Sequence, residues 1–389
     1  MKIEFYNCPE PQDIKAVTLP EETPLFLSYR PNFGAILKLA EEYEAYTNLI
    51  IIGHGGSISS FYGMYHALRE KSTKNVYIVN TVDPDYILEL KNSMSIEDTL
   101  VVAISKSGET ITQIEAVLHF TEFPLVFITG VAGPLAELGS KLHAKSVLHL
   151  PISGRFTGLT EVALLPAAMC GFDIQAMWES ASKQYRNFTL DNPAFTSASI
   201  ANQLEEKGIV DVFMPIYDSH LFPFTNLIIQ LCHESFGKDG KGQTYFGSVA
   251  PESQHHTNQR FFGGRKNIAG WFISTEKSLA DLQTIVPTVA EKIPLKDKTM
   301  ETLNGIPLSF SLRAERDATI EDARMQNIPV FNHTIVSRTE EEIGSLIAFW
   351  QMYAVYSSLL RGVNPFDQPQ VENSKNISFA KRMQHKGLL

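Results

Sequence analysis

From about residue 48 the chain alternates short apolar runs with segments whose apolar residues recur at helical spacing. The runs LIIIG (49–53), NVYIVN (75–80), TLVVAIS (99–105), PLVFITG (124–130) and SVLHLPI (146–152) read as strands. Between them, Ser60–Lys71, Thr112–Thr121 and Pro134–Lys141 carry the 3.6-residue period of helices. Strands apolar at nearly every position and separated by helices imply a parallel sheet covered on both faces. A helix-rich stretch reaches about residue 208. A second series follows in IVDVFMPIY (209–217), NIAGWFIST (267–275), IPLSFSL (306–312) and IPVFNHTIV (328–336). The pattern predicts an α/β protein of two α-β-α sandwich domains with mainly parallel sheets. The first spans 1–190 with the N-terminal segment, and the second 191–389 with the C-terminal helices. Their junction is expected in the polar stretch LDNPAFTSAS (190–199). The longest apolar stretch, LIAFWQMYAVYSSLL (346–360), is interrupted by Gln351 and is shorter than the roughly 20 residues of a membrane span. It reads as a buried helix.

Length and charge narrow the partners. At roughly 150 residues per domain, 389 residues fit two domains. A net charge of −10 argues against nonspecific nucleic-acid binding. An anionic small molecule would need a few cations brought together locally. Cys8, Cys170 and Cys232 are scattered, with neither disulfide nor metal spacing. The N-terminus, MKIEFYNCPEPQ, has no basic-then-apolar signal pattern. The expectation is a soluble, cytoplasmic protein with no membrane or nucleic-acid partner.

Candidate chemistry begins at NLIIIGHGGSISS (48–60), where a strand runs into glycines. A dinucleotide fingerprint would need glycine at Ile58 and an acid at Asn80, so that reading fails twice. A nucleotide-triphosphate loop would need a lysine after the glycines, and none follows. A plain strand-to-helix turn also uses glycine for its backbone freedom. The third run ends in a second turn, SKSGET, with Ser105, Lys106, Ser107, Gly108 and Thr110. Hydroxyls, backbone N–H groups and a helix N-terminus together make an anion site. A capping cluster would use the same residues. Both turns leave the C-terminal ends of neighbouring strands, where open α/β sheets bind ligands.

These two turns resemble the sugar isomerase (SIS) domain, a phosphosugar-binding sandwich. Four later motifs extend the likeness: PISGRFTGLTEVALLPA (151–167), NLIIQLCHESFGK (226–238), PESQHHTNQ (251–259) and GVNPFDQPQVENSK (362–375). In this order they resemble the glucose-6-phosphate isomerase family, from about residue 49 to 375. Within FTNLIIQLCHESFGK, Phe224, Leu227, Ile228 and Leu231 form an apolar stripe. Gln230 and Glu234, four residues apart, share its flank. A carboxylate bordering apolar surface can serve as a base; on position alone Glu234 is equally a solvated helix residue.

The resemblance implies two SIS-type domains and interconversion of glucose 6-phosphate and fructose 6-phosphate through an enediolate, a step of glycolysis and gluconeogenesis. It assigns Glu234 as base, Arg155 to the enediolate, His255 to ring opening, and Lys375 to the same step and charge balance. Ser105, Ser107 and Thr110, with the Lys106 backbone, hold the phosphate. Gly56, Ser57, Gln230 and Gln368 complete the pocket. No metal or redox cofactor is implied, because the hydrogen moves as a proton. The family's ring-opening histidine comes from a partner subunit, which implies a homodimer with shared sites. Without the resemblance, Arg155 reads as a surface ion-pair former, His255-His256 as a loop pair or half a metal site that no His, Cys or carboxylate cluster accompanies, and Lys375 as an ordinary helix lysine. The chain is short for the family. Ser153, Gln370 and His256 depart from its usual residues, leaving open a dual phosphoglucose/phosphomannose isomerase. A non-catalytic phosphosugar-binding protein is the other alternative.

Overall fold

The computed structural model describes residues 1–12, 24–186 and 191–388. In chain order the strands are β1 (Lys2–Tyr6), β2 (Asn48–Ile52), β3 (Asn75–Val79), β4 (Thr99–Ser105), β5 (Leu125–Thr129), β6 (Lys145–Leu148), β7 (Asp211–Tyr217), β8 (Thr244–Val249), β9 (Ile268–Thr275), β10 (Pro294–Leu295), β11 (Lys298–Thr299) and β12 (Val330–Ile335). One sheet has the order β3-β2-β4-β5-β6 and is wholly parallel. The other has the order β1-β12-β9-β7-β8, parallel except for β1. β10 and β11 form a separate hairpin.

The continuous apolar runs serve two cores at once, because successive strand side chains point to opposite faces. In β2, Leu49 and Ile51 enter a central core, while Ile50 and Ile52 enter an outer one. β4 divides in the same way: Val102 and Ile104 face the centre, Val101 and Ala103 face outward. The second sheet sends Val212, Met214 and Trp271 to the same central core and keeps Phe213 and Phe272 on its far side. The two sheets therefore share one interior.

The helix Glu340–Arg361 fills that interior. Thr339 caps it by accepting from the Glu342 N–H, three glutamates occupy its first turn, and Gly362 ends it at φ 66°. By length and composition it could cross a membrane, yet 83% of its apolar window is buried within the protein. Trp350 and Tyr353 pack on Trp271 at ring separations of 4.7 and 5.1 Å. Gln351, the polar break in the apolar run, is fully buried; it accepts from the Tyr185 hydroxyl and donates to the Arg155 carbonyl at 3.3 Å.

Three expectations change. IPLSFSL (306–312) is not a strand: Pro307 stands at the N-cap of the helix Leu308–Met325, whose buried residues Thr319, Ile320 and Ala323 follow helical spacing. The local alternation of apolar residues is overridden by the longer period that follows it. β1 and β8 are strands that the apolar pattern does not single out, since β1 has no buried residue and β8 only Tyr245. β1 also crosses the expected 190/191 division. It covers the open edge of β12 in the second sheet, pairing Phe5 with Phe331. Residue 190 itself lies outside the described residues.

One buried group ties this fold to pH. His333 on β12 is fully buried beside Phe349 and Trp350, and neither ring nitrogen has a protein hydrogen-bond partner. Burial lowers its pKa to about 3. The unfolded chain takes up this proton near pH 6.5, so the stabilising effect of the neutral ring is complete above that pH. It is lost progressively as the pH falls toward 3. Comparing thermal unfolding of the native protein and His333→Leu across pH 7 to 4 checks this. The native protein should lose up to about 1.4 kcal/mol more per pH unit than the variant.

Candidate active site

The site forms where the turn after β2 meets the helix Phe224–Phe236 and the 154–156 turn, with Arg155 bonded to the 362–368 loop; the turn after β4 is linked to the glycine turn through Thr112 and His54. After β2, Gly55 adopts φ +51° and opens a one-turn helix, Gly55–Ser57. A Cβ on Gly56 would lie 2.1 Å from the Gly154 carbonyl carbon and 2.3 Å from the Arg155 nitrogen. Only glycine allows these two backbones to touch, and that contact sets where the next residue, Arg155, begins.

Arg155 has 1% side-chain exposure. Its Nε donates to Ser235 Oγ at 2.8 Å. Nη1 donates to Glu234 Oε2 at 2.9 Å and to Gln368 Oε1 at 2.8 Å. Nη2 donates to the carbonyls of Pro365 and, at 3.0 Å, Asp367. Every N–H of the guanidinium thus has an acceptor, as a buried charge requires. Burial pulls its pKa down and the Glu234 carboxylate opposes that shift; a guanidinium stays charged throughout.

The 224–236 helix turns Phe224, Leu227, Ile228 and Leu231 into the central core. Its flank holds Gln230, whose Nε2 donates to Glu234 Oε1 at 3.2 Å. Ser59 in turn donates to Gln230 Oε1 at 3.0 Å. Both Glu234 oxygens are therefore held by donors, while 31% of its side chain remains exposed. A cavity of about 860 Å³ opens beside it, lined by Gln230, Glu234, Ser59, Tyr62, His66 and Asp83 among others.

Arg155, Glu234, Gln230 and Gln368 are thus joined directly, with Gly56 in backbone contact. The second turn lies alongside. Ser105 Oγ accepts from the Gly108 N–H and Ser107 Oγ from the Glu109 N–H, both at 3.2 Å. Gly108 has φ +67°, and Thr110 stands at the N-cap of the helix Ile111–Leu118 without a side-chain cap bond. Lys106, Ser107 and Thr110 are exposed, and Ser57 is half-buried. Thr112 bonds His54 Nε2 at 3.1 Å, tying this helix to the glycine turn; burial lowers the His54 pKa. The cavity beside Glu234 is lined by neither Arg155 nor the 105–110 turn. It extends over β3, on the opposite side of the glycine turn from β4.

Two expected residues stand apart. His255 ends the short helix Glu252–His255 and is exposed. Lys375 is exposed on the helix Glu372–His385 and pairs with Glu372 at 2.7 Å. Among the described residues neither has a hydrogen bond to Glu234 or Arg155. Sequence reading missed Ser59, Ser235 and Lys238. Ser235 and Lys238 lie within the ESFGK motif, but the one signal for a structural role, a polar residue on the buried side of the helix, needs the packing to be known.

No protein-family model matches the chain. The fold superposes on a hypothetical protein of Thermus thermophilus with a TM-score of 0.80 at 25% identity, over 92% of both chains. It superposes on a glucose-6-phosphate isomerase of Chlamydia trachomatis D/UW-3/Cx with a TM-score of 0.76 at 22% identity, over 90% of this chain and 73% of the other. The α/β fold with two mainly parallel sheets is thus shared with that glucose-6-phosphate isomerase. In sequence the chain is 29% identical over 381 residues to the glucose-6-phosphate isomerase of Streptococcus equi subsp. zooepidemicus, covering 90% of this chain and 84% of that one. The chain is thus similar to curated glucose-6-phosphate isomerases over about 90% of its length, at 28–29% identity.

The glycine contact has a direct check. Gly56→Ala places a methyl group against backbone that cannot turn aside, so it should cost about 1–3 kcal/mol or more. Thermal unfolding should show it as a lowered Tm.

Proposed function

We propose that the protein interconverts glucose 6-phosphate and fructose 6-phosphate by proton transfer between C2 and C1. The observation that carries this reading is the Glu234 carboxylate beside a cavity, 2.9 Å from a buried guanidinium with every donor occupied. Glu234 takes the C2 proton of the open-chain aldose and returns it to C1, while the O2 hydroxyl proton passes to O1 so that the C1 carbonyl becomes a hydroxyl and C2 the carbonyl. Charge then develops on the sugar oxygens, and Arg155 stabilises it where water is excluded. Gln230 and Gln368 hold the carboxylate and guanidinium in register. The phosphate rests on Ser105, Ser107 and Thr110 with the Lys106 N–H, at the start of a helix, where backbone dipoles favour an anion. Gly56 and Ser57 lie along the sugar. His255 and Lys375 serve ring opening and charge balance. As a glycolytic activity this belongs in the cytoplasm.

The same reading includes a homodimer in which His255 of each chain serves its partner's site. Two features support it. His255 is exposed and unbonded to its own chain's Glu234. From Thr275 to Ala318 no residue is buried, although this arm carries a hairpin, most of a helix, and the exposed Leu282, Ile285, Val289 and Phe310. Ordering each residue costs roughly 1–2 kcal/mol, and an arm with no core of its own recovers that only against another surface.

Two experiments test the proposal. In deuterated water the native protein should exchange the C2 hydrogen of glucose 6-phosphate, and Glu234→Gln should lose about 10²–10⁴-fold of both exchange and turnover. Full activity in the variant would remove Glu234 as the base. For the dimer, sedimentation should show a two-chain species that Ile285→Asp with Val289→Asp converts to monomer, with activity lost in parallel.

A further inference from the structure

Lys238 is a buried cation near the site to which the chemistry above gives no task. It follows the 224–236 helix, four residues beyond Glu234, and its side chain is only 6% exposed. Its Nζ meets three oxygens of a single loop: the Asn364 carbonyl, the Asp367 carbonyl at 2.6 Å and Asp367 Oδ1 at 2.5 Å. An ammonium has three N–H groups, so all are used. The Asp367 carbonyl also accepts from Arg155 Nη2 at 3.0 Å, and the next residue, Gln368, accepts from Arg155 Nη1 at 2.8 Å. Lys238 and Arg155 therefore grip the same loop from two sides.

We propose that Lys238 is a positioning residue of the isomerisation site: it clamps the 364–368 loop to the helix that carries Glu234, and so fixes Gln368 and Arg155 relative to the reacting carboxylate. Packing alone would not need a charge here, because a hydrophobic side chain usually holds a buried contact at least as well as a buried ion pair does. Three short bonds to one loop supply what packing lacks, a fixed angle and register. Glu234 is in the last turn of the helix and Lys238 follows its C-cap, Gly237, by one residue, so the clamp ties the end of that helix to the loop. Asp367, half exposed at the rim, balances the ammonium, and the lysine's hydrogen bond holds the Asp367 carboxyl below its ordinary pKa. Among the described residues, the phosphate turn at 105–110 has no hydrogen bond to this loop. Loss of the clamp should thus spare anchoring of the substrate and act on the chemical step.

The inference rests on the isomerase reading, and a variant series separates the two. If the native protein does not convert fructose 6-phosphate, the isomerase reading fails whatever Lys238 does. If it does, Lys238→Met should lower kcat about 100-fold, the size of effect expected when reacting groups shift by about 1 Å, with KM changed less than about threefold. Gln368→Leu should also lower activity, and the double variant should lose little more than the larger single loss, because both changes act through one loop. Far-UV circular dichroism and cooperative unfolding confirm that each variant is folded. Should Lys238→Met not fold, Asp367→Asn takes its place in the cycle. It keeps both carbonyl acceptors and weakens only the ion pair, with a loss of about fivefold in kcat and the same coupling to Gln368→Leu. Unchanged kcat, a loss confined to KM, or losses that multiply independently would overturn the clamp.

Discussion

A guanidinium taken out of water is tolerated only when acceptors surround it, and Arg155 obtains those acceptors from segments far apart in the chain. Ser235 and Glu234 come from a helix about 80 residues later, and Gln368 from a loop 213 residues later. Gln351, from the central helix, holds the arginine's own carbonyl. None of these groups can move without leaving a charge or a dipole unpaired in a low-dielectric interior. The contact between Gly56 and Gly154 follows from the same demand, since it lets the 154–156 turn approach closely enough to deliver the guanidinium. The two sheets, the shared core and the buried helix hold these distant pieces at hydrogen-bonding distance.

The charge arrangement suits a reaction that creates an anion. Arg155 faces Glu234, and Lys238 faces Asp367, so two cations and two carboxylates balance. A sugar phosphate entering beside Glu234 brings further negative charge to a place where the cations are already oriented. Little reorganisation is then required as the enediolate forms. The 105–110 turn proposed for the phosphate follows the neighbouring strand, β4, and offers hydroxyls, backbone and a helix start rather than buried cations. In the proposed reaction, anchoring falls to a strand end of the first sheet and chemistry to the 224–236 helix and the 154–156 turn, with the glycine turn between them.

Much of this was legible in the chain. The five parallel strands of the first sheet follow from continuous apolar runs, and Gln230 beside Glu234 follows from a spacing of four on a helix. The SKSGET turn announced itself by its hydroxyls. Other features were not legible, for definite reasons. β1 has no buried residue, so nothing in its pattern marks a strand; its place depends on the open edge of β12. IPLSFSL alternates like a strand over seven residues, and only the following turns of helix decide otherwise. Lys238 looks like an ordinary residue beyond a helix end until the 364–368 loop is seen against it, and Ser235 until Arg155 is. Arg155 on its own reads as a surface cation, and is among the most buried side chains of the protein.

The sequence by itself determined what local spacing and short motifs can encode: two α/β sandwiches, a carboxylate on the flank of an apolar helix, and a hydroxyl-rich turn at a strand end. The glycine turn GHGGS could be separated from a nucleotide loop by residues it lacks. Tertiary structure alone decided which distant groups surround Arg155, why Gln351 interrupts an apolar helix, and why Gly56 admits no side chain. Each of these depends on two backbones or a buried charge meeting across scores to hundreds of residues. No local pattern records such a meeting, because its cause is the shared need of buried polar groups for partners.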